Sequence, residues 1–126
     1  MRQLLDTHTL IWFIMGDQRI SQTVRSQIEN NQNCLSIVSI WEIAIKHSIG
    51  KLNLNLSFAE FVEQQIIMTD VQLIPIQIEH ILAVAQLPLH HRDPFDRMLI
   101  AQAITENLPI LSADTIFDNY SIQRLW

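Results

Sequence analysis

The sequence predicts an α/β fold, a three-layer α/β/α sandwich around a central, mainly parallel sheet. Three observations carry that reading. Short stretches that are almost wholly apolar recur along the chain, as strands covered on both faces must be. Between them lie segments with helical spacing, and those segments carry cap residues at their ends. The 126 residues are too few for two cores and enough for one, so a single domain is expected over residues 1–126.

Leu4 and Leu5 end a first strand at Asp6, and the apolar run 10–15 before Gly16-Asp17 is the helix it feeds. Residues 21–31 predict a second helix with Val24, Ile28 and the methylene stem of Arg25 turned inward. Cys34-Leu35-Ile37-Val38 make an apolar, β-branched stretch too short for a helix, which predicts a second strand. Ser39 is then expected to open a helix that closes at Gly50, a natural left-handed stop. Leucines 52, 54 and 56 alternate in a loop, and Ser57 caps a helix through Met68. Leu73-Ile74 form a third strand stopped by Pro75, and residues 77–86 a further helix. Asp93-Pro94 starts the next helix, since Asp accepts orphan N–H bonds and Pro is pre-set for the first turn; it runs to Glu106. Residues 109–111 are a fourth strand, 112–114 a turn, and Ile122 is assigned to a last edge strand.

Composition narrows the function classes. Apolar residues make up 48% and charged residues 17%, which suits a packed core rather than a disordered chain. Gly16 and Gly50 are the only glycines. No G-x-G-x-x-G loop exists, and Gly50-Lys51 lacks the earlier glycine of a P-loop because Ile45 stands there. A net charge of −5 argues against holding nucleic acid on a broad basic face, yet not against a nuclease whose carboxylates set the balance. Without Asp6, Glu42, Asp93, Asp96 and Asp114, eight acids face eight lysines and arginines. Cys34 is the single cysteine, which excludes an internal disulfide or a Cys-rich zinc site and fits a reducing cytoplasm. No signal-peptide core precedes Asp6, and no apolar run approaches the ~18–20 residues needed to span a bilayer.

The acids occupy related places. In parallel sheets ligands bind beyond the carboxyl ends of the strands. Asp6 follows strand one, Glu42 lies in the helix after strand two, Asp114 stands just past strand four, and Asp96 is in the first turn of the helix leading to it. Each acid also has a purely structural reading. Asp6, Asp93 and Asp114 suit cap positions, Ser39-Ile40-Trp41-Glu42 reads as a capping box, Glu42 can pair with Lys46, and Asp96 favours the helix dipole. As a set they are harder to dismiss. Partly buried carboxylates gathered at one edge repel one another unless some take up protons or a divalent cation neutralises them together. Oxygen ligands suit Mg²⁺ or Mn²⁺, and such a site hydrolyses phosphodiesters.

Four segments carry a resemblance: Leu4-Leu5-Asp6-Thr7-His8-Thr9-Leu10-Ile11-Trp12; Ser39-x-x-Glu42 through Lys46 and Gly50-Lys51-Leu52; Arg92-Asp93-Pro94-Phe95-Asp96-Arg97; and Leu111-Ser112-Ala113-Asp114. Together they resemble the PIN-domain toxins of VapC type, end to end and most weakly between Asn55 and Ala85. The resemblance implies a Mg²⁺-dependent ribonuclease, the toxin of a type II toxin–antitoxin pair, dimeric and held inactive by a small antitoxin. It places the family's four acidic positions on Asp6, Glu42, Asp96 and Asp114 and its hydroxyl near the last acid on Ser112. His8 stands where many members carry Ser or Asn.

Smaller roles follow. Asp93 is read as a helix cap before a site residue, and Thr7 either orients Asp6 or serves as a cap. Lys46 and Arg97 either meet RNA phosphates or act as local counter-charges for Glu42 and Asp93. His90-His91 is read as a solvated surface pair, and Trp12, Phe13, Trp41 and Phe61 as core or dimer packing. Other classes fit less well. Asp6-Thr7-His8-Thr9 is similar to the nucleophile loop of haloacid-dehalogenase phosphatases, but His8 replaces its second acid. A receiver-type phosphorylation domain needs paired acids after strand one and a lysine after the last strand; Leu4-Leu5 precede Asp6 and no lysine follows Lys51. A PIN-like module that only binds a partner is the non-enzymatic alternative, and the full acidic set argues against it.

Overall fold

The computed structural model describes residues 1–126. Strands β1 (Arg2–Leu5), β2 (Gln32–Ser36), β3 (Gln72–Ile74), β4 (Ile110–Leu111) and β5 (Arg124–Leu125) form one sheet in the order β3-β2-β1-β4-β5. Every neighbouring pair is parallel. Successive residues of a strand point to opposite faces, and both faces are covered. Leu4, Cys34 and Ile110 enter one core with Leu99, Ile100 and Phe117. Leu5, Leu35 and Leu111 enter the other with Leu10, Val24, Ile43 and Phe61. The predicted three-layer α/β/α arrangement is therefore present, and the double covering explains why the strands are apolar without alternation.

Six helices connect the strands: α1 (Thr7–Met15), α2 (Gln22–Glu29), α3 (Ile37–Ser48), α4 (Phe58–Val62), α5 (Ile78–Gln86) and α6 (Pro94–Glu106). Ser21 accepts from the Val24 N–H and Ser57 from the Glu60 N–H. Asp93 caps α6 by accepting from the N–H groups of Phe95 and Asp96, with Pro94 in the first helical position. Gly16 closes α1 at φ 67°, a left-handed conformation that glycine adopts without a Cβ clash.

Several boundaries differ from expectation. The second strand ends at Ser36, and Ile37 and Val38 already belong to α3, which Ser36 rather than Ser39 caps through the Val38 N–H. The reason is pairing. Ser36 lies opposite Ile74, the last residue of β3, and the following Pro75 has no N–H with which to extend the ladder. The apolar pair 37–38 suits a buried strand or a buried helical turn equally, so only the end of the pairing decides. The helix after Ser57 changes at Glu63 into a π-helical turn, Glu63–Ile67. The last edge strand is Arg124–Leu125, while Ile122 packs against the second core instead. Phe61 is buried, but Trp41 is 58% exposed and meets the Phe95 ring edge-on at 5.2 Å.

Candidate functional site

The sheet order places β1 between β2 and β4, so connections leave it in opposite directions and open a crevice beyond its carboxyl end. Asp6 is the residue that enters that crevice. It occupies the cap position of α1, yet its side chain does not take the capping bond. Instead Oδ2 accepts a 2.7 Å hydrogen bond from the Ser112 hydroxyl just past β4. The Thr9 hydroxyl donates to the Leu111 carbonyl at 2.9 Å, tying α1 to the same strand end. Ser112 also accepts from the Asp114 N–H at 3.0 Å, so one hydroxyl sets the relation between two acids.

Glu42 comes from the second turn of α3 and is buried. The capping-box reading fails, because the helix begins at Ile37. The i,i+4 reading holds, since Lys46 Nζ donates to Glu42 Oε2 at 2.8 Å. Thr7 neither caps nor contacts Asp6 through its hydroxyl, which donates to Ser39 Oγ at 2.8 Å and locks α1 to α3. Asp96 lies in the first turn of α6 because Asp93 starts that helix three residues earlier. Asp114 begins the short 3₁₀ turn Thr115–Asn119, its Oδ1 accepting from the Ile116 N–H at 3.0 Å.

His91 is the residue that the sequence reading misplaced. It is buried, 8% exposed, and its Nε2 donates to Asp114 Oδ2 at 2.9 Å with Asp96 Oδ2 3.0 Å from the same nitrogen. The Asp93 N–H reaches His91 Nδ1 at 3.3 Å. That contact makes Nδ1 the acceptor and assigns the ring proton to Nε2. His91, Asp96 and Asp114 offer atoms within 4.8 Å of one another, but the assigned tautomer makes the imidazole a donor to the acids rather than a ligand. Two residues outside the loop aim it. The Tyr120 hydroxyl accepts from the His90 and His91 N–H groups at 3.0 and 2.7 Å and donates to the Pro88 carbonyl at 2.8 Å. Arg97 donates to the carbonyls of Val84, Leu87, Pro88 and His91. Arg97 is therefore neither at the acidic cluster nor paired with Asp93; it holds the loop that carries His91. His90 points away, with its ring against Tyr120.

Electrostatically the acids are frustrated. Burial raises the Asp6 carboxyl above its ordinary range, against the Ser112 hydrogen bond. Asp96 is pushed up to about 8, first by burial and then by the charges of Asp6, Asp93, Glu42 and Asp114. Asp6 Oδ1 and Glu42 Oε1 are buried without any hydrogen-bond partner. An unpartnered buried carboxylate oxygen is costly, and a shared divalent cation removes that cost for several acids at once. The donor set, all carboxylate oxygen, suits a hard cation. An open pocket of about 400 Å³ adjoins these acids, lined by Asp6, His8, Trp12, Arg19, Asp96, Ala113 and Asp114.

Fold and site together define an α/β/α protein whose carboxylates converge at the switch point of a parallel sheet. The chain belongs to the PIN domain family, whose model matches residues 4–123. No curated protein sequence matches it. Among solved structures it is similar to VapBC from Salmonella typhimurium bound to DNA, at 16% identity and a TM-score of 0.74, covering 99% of this chain and 98% of that one. VapBC2 from Rickettsia felis, bound to a DNA fragment from its promoter, is similar at 14% identity and a TM-score of 0.73, with coverage of 99% and 98%. FitAcB from Neisseria gonorrhoeae is similar at 20% identity and a TM-score of 0.73, with coverage of 100% and 97%.

Proposed function

We propose that this PIN-domain chain is a divalent-metal-dependent endoribonuclease and the toxin of a toxin–antitoxin pair, working in the cytoplasm as one domain over residues 1–126. The observation that carries the reading is the pair of orphaned, buried carboxylate oxygens on Asp6 and Glu42, set beside Asp96 and Asp114. These four acids would hold Mg²⁺ or Mn²⁺. A divalent ion bound there supplies an activated water and offsets charge developing on the phosphate. The chain's own groups arrange the acids: Ser112 engages one Asp6 oxygen and leaves the other free, Lys46 does the same for Glu42, and His91 holds Asp114. Asp93 serves as the helix cap that positions Asp96. Mg²⁺ or Mn²⁺ should support cleavage of a mixed RNA pool by the purified protein, and excess chelator should abolish it. Unchanged activity in chelator would remove the metal from the reaction.

His91 acts in this scheme as a positioning residue. His91→Leu is expected to lower Mn²⁺ affinity by about ten- to hundred-fold, as loss of an outer hydrogen bond to a ligand does, and His91→Gln, which keeps an N–H donor, to recover part of it. Calorimetric titration with Mn²⁺ measures both. Equal affinity in wild type and both variants would assign His91 to the loop alone.

The toxin reading is supported by the likeness to toxin–antitoxin complexes such as the Klebsiella pneumoniae complex, at 15% identity and a TM-score of 0.68. A small antitoxin would place an Arg fork on the acids, since guanidinium pairs two carboxylate oxygens at once. A homodimer is supported by α5, where Ile78, Ile81 and Leu82 stand at helical spacing and are each more than half exposed. No helix is long and apolar enough to cross a membrane. Co-expression with the small protein of the neighbouring reading frame, then sizing and RNA cleavage, is expected to give a dimeric toxin in an inactive complex. A monomer would refute the dimer, and a complex that cleaves RNA as fast as the free chain would refute the inhibitor.

A further inference from the structure

We propose that the cavity next to the acidic pocket is the track for the RNA strand flanking the cleaved bond, with Arg19, Lys46 and Lys51 as its phosphate-binding wall. The inference rests on the nuclease reading above. This cavity, about 460 Å³, lies between α1 and the end of α3. His8, Trp12 and Arg19 line it and the acidic pocket alike, so these three side chains form a common border.

Charge distinguishes the cavity from the rest of the surface. The chain carries a net charge of −5, yet both of its lysines, Lys46 and Lys51, are here together with Arg19. Of the other cations, Arg97 sits on four carbonyls, Arg124 on Asp118 and the Ser112 carbonyl, and Arg25 over the Phe13 ring. Arg2 and Arg92 are exposed and lie outside this cavity, and Lys46 lends one of its three N–H donors to Glu42. Arg19 is pre-organised. Asp17 takes two of its N–H groups at 3.0 and 2.7 Å, and the guanidinium lies 4.2 Å over the Trp12 ring. That hold fixes the fork while leaving Nη1 without a protein partner. Lys51 is exposed and has no ion pair.

A polyanion gains from both halves of this surface. One phosphate would meet the carboxylates through the cation they hold and its neighbour would meet the basic wall, a regular spacing of charge that a polynucleotide backbone repeats. A concave pocket of this kind suits an unpaired strand, whose backbone and bases can bend into it. The His8 and Trp12 rings, 5.8 Å apart, give the border an aromatic surface for a base or ribose. This places His8 on the strand path as well as beside Asp6, whose carboxyl its charge favours in the ionised form.

The test uses a fluorescein-labelled single-stranded RNA of mixed sequence, with Asp96→Asn protein in Mg²⁺ to prevent turnover, read by anisotropy over a series of salt concentrations. Arg19→Gln and Lys51→Gln on that background are expected to weaken binding by about three- to ten-fold and to lower the salt slope by about 0.7 each, one phosphate contact per cation. Arg2→Gln, an equal charge change at the opposite end of β1, should leave both unchanged. With active protein, Arg19→Gln and Lys51→Gln should raise KM and leave kcat within about two-fold. A parent that binds and cleaves RNA with variants of unchanged affinity and slope would overturn the track alone. Variants that keep RNA affinity but lose the inhibitor protein would overturn it too, in favour of a partner surface. A parent that neither binds nor cleaves RNA would overturn the nuclease reading and the track with it.

Discussion

Asp96→Asn is expected to cut RNA cleavage by at least about 100-fold, several kcal/mol of lost charge stabilisation, and to raise the melting temperature in chelator. Both shifts have one cause. Asp96 is largely buried among the like charges of Asp6, Asp93, Glu42 and Asp114. The amide keeps the shape of the side chain, removes a carboxylate that the proposed cation would need, and removes the repulsion present when no cation is bound. Most substitutions near a core lower stability and activity together, so opposite signs separate a site residue from a fold residue. Asp93→Asn is the control. Asn caps a helix about as well as Asp, so this variant should cleave within a few-fold of wild type. Cleavage at saturating Mg²⁺ and melting curves in chelator measure the pair. Wild-type activity in Asp96→Asn would reduce Asp96 to a helix-dipole residue. A lowered melting temperature would show that its carboxylate supports the fold.

In chelator the wild-type protein is expected to lose stability as pH rises from about 5 to 8. Asp96 titrates at about 8 in the folded protein against an ordinary 3.8, and Asp6 is raised as well by burial. A folded-state pKa above the unfolded one means that the native chain holds its proton more tightly. The stabilisation is complete below about pH 4 and is lost as pH climbs through 8. One proton changes stability by up to ~1.4 kcal/mol per pH unit; halved for relaxation around the charge, this gives on the order of 2 kcal/mol across three units. The corresponding fall in melting temperature is roughly 5–10 °C. Divalent metal is expected to reverse the trend, because the deprotonated acids would hold the ion; a hundred-fold excess over Kd would restore about 2.7 kcal/mol. Thermal melts from pH 5 to 9, with chelator and with Mg²⁺, trace both curves, and Asp96→Asn should flatten the first. A flat wild-type curve in chelator would refute the crowding of like charge at this edge.

Patterns within about ten residues were legible without coordinates. The apolar stretches around Leu4-Leu5, Cys34-Leu35 and Ile110-Leu111 announce a sheet covered twice, since each residue in turn faces a different layer of helices. Ser21, Ser57 and Asp93-Pro94 mark helix starts because capping chemistry lies next to the bonds it satisfies. The places of Asp6, Glu42, Asp96 and Asp114 after or before particular strands follow from the same reading. Only the tertiary structure decided which way side chains without periodicity turn. Nothing adjacent to His91 distinguishes a surface loop from a buried donor. Its direction is set by Tyr120, 29 residues later, and by Arg97, whose fork closes on carbonyls from two elements. The boundary between β2 and α3 likewise depends on where β3 stops pairing. Lys46, Lys51 and Arg19 share one cavity because α1 packs beside α3, a juxtaposition created by the parallel crossover and not by any local pattern. Local chemistry is written in neighbouring residues; the meeting of distant ones depends on how the packed layers bring them together.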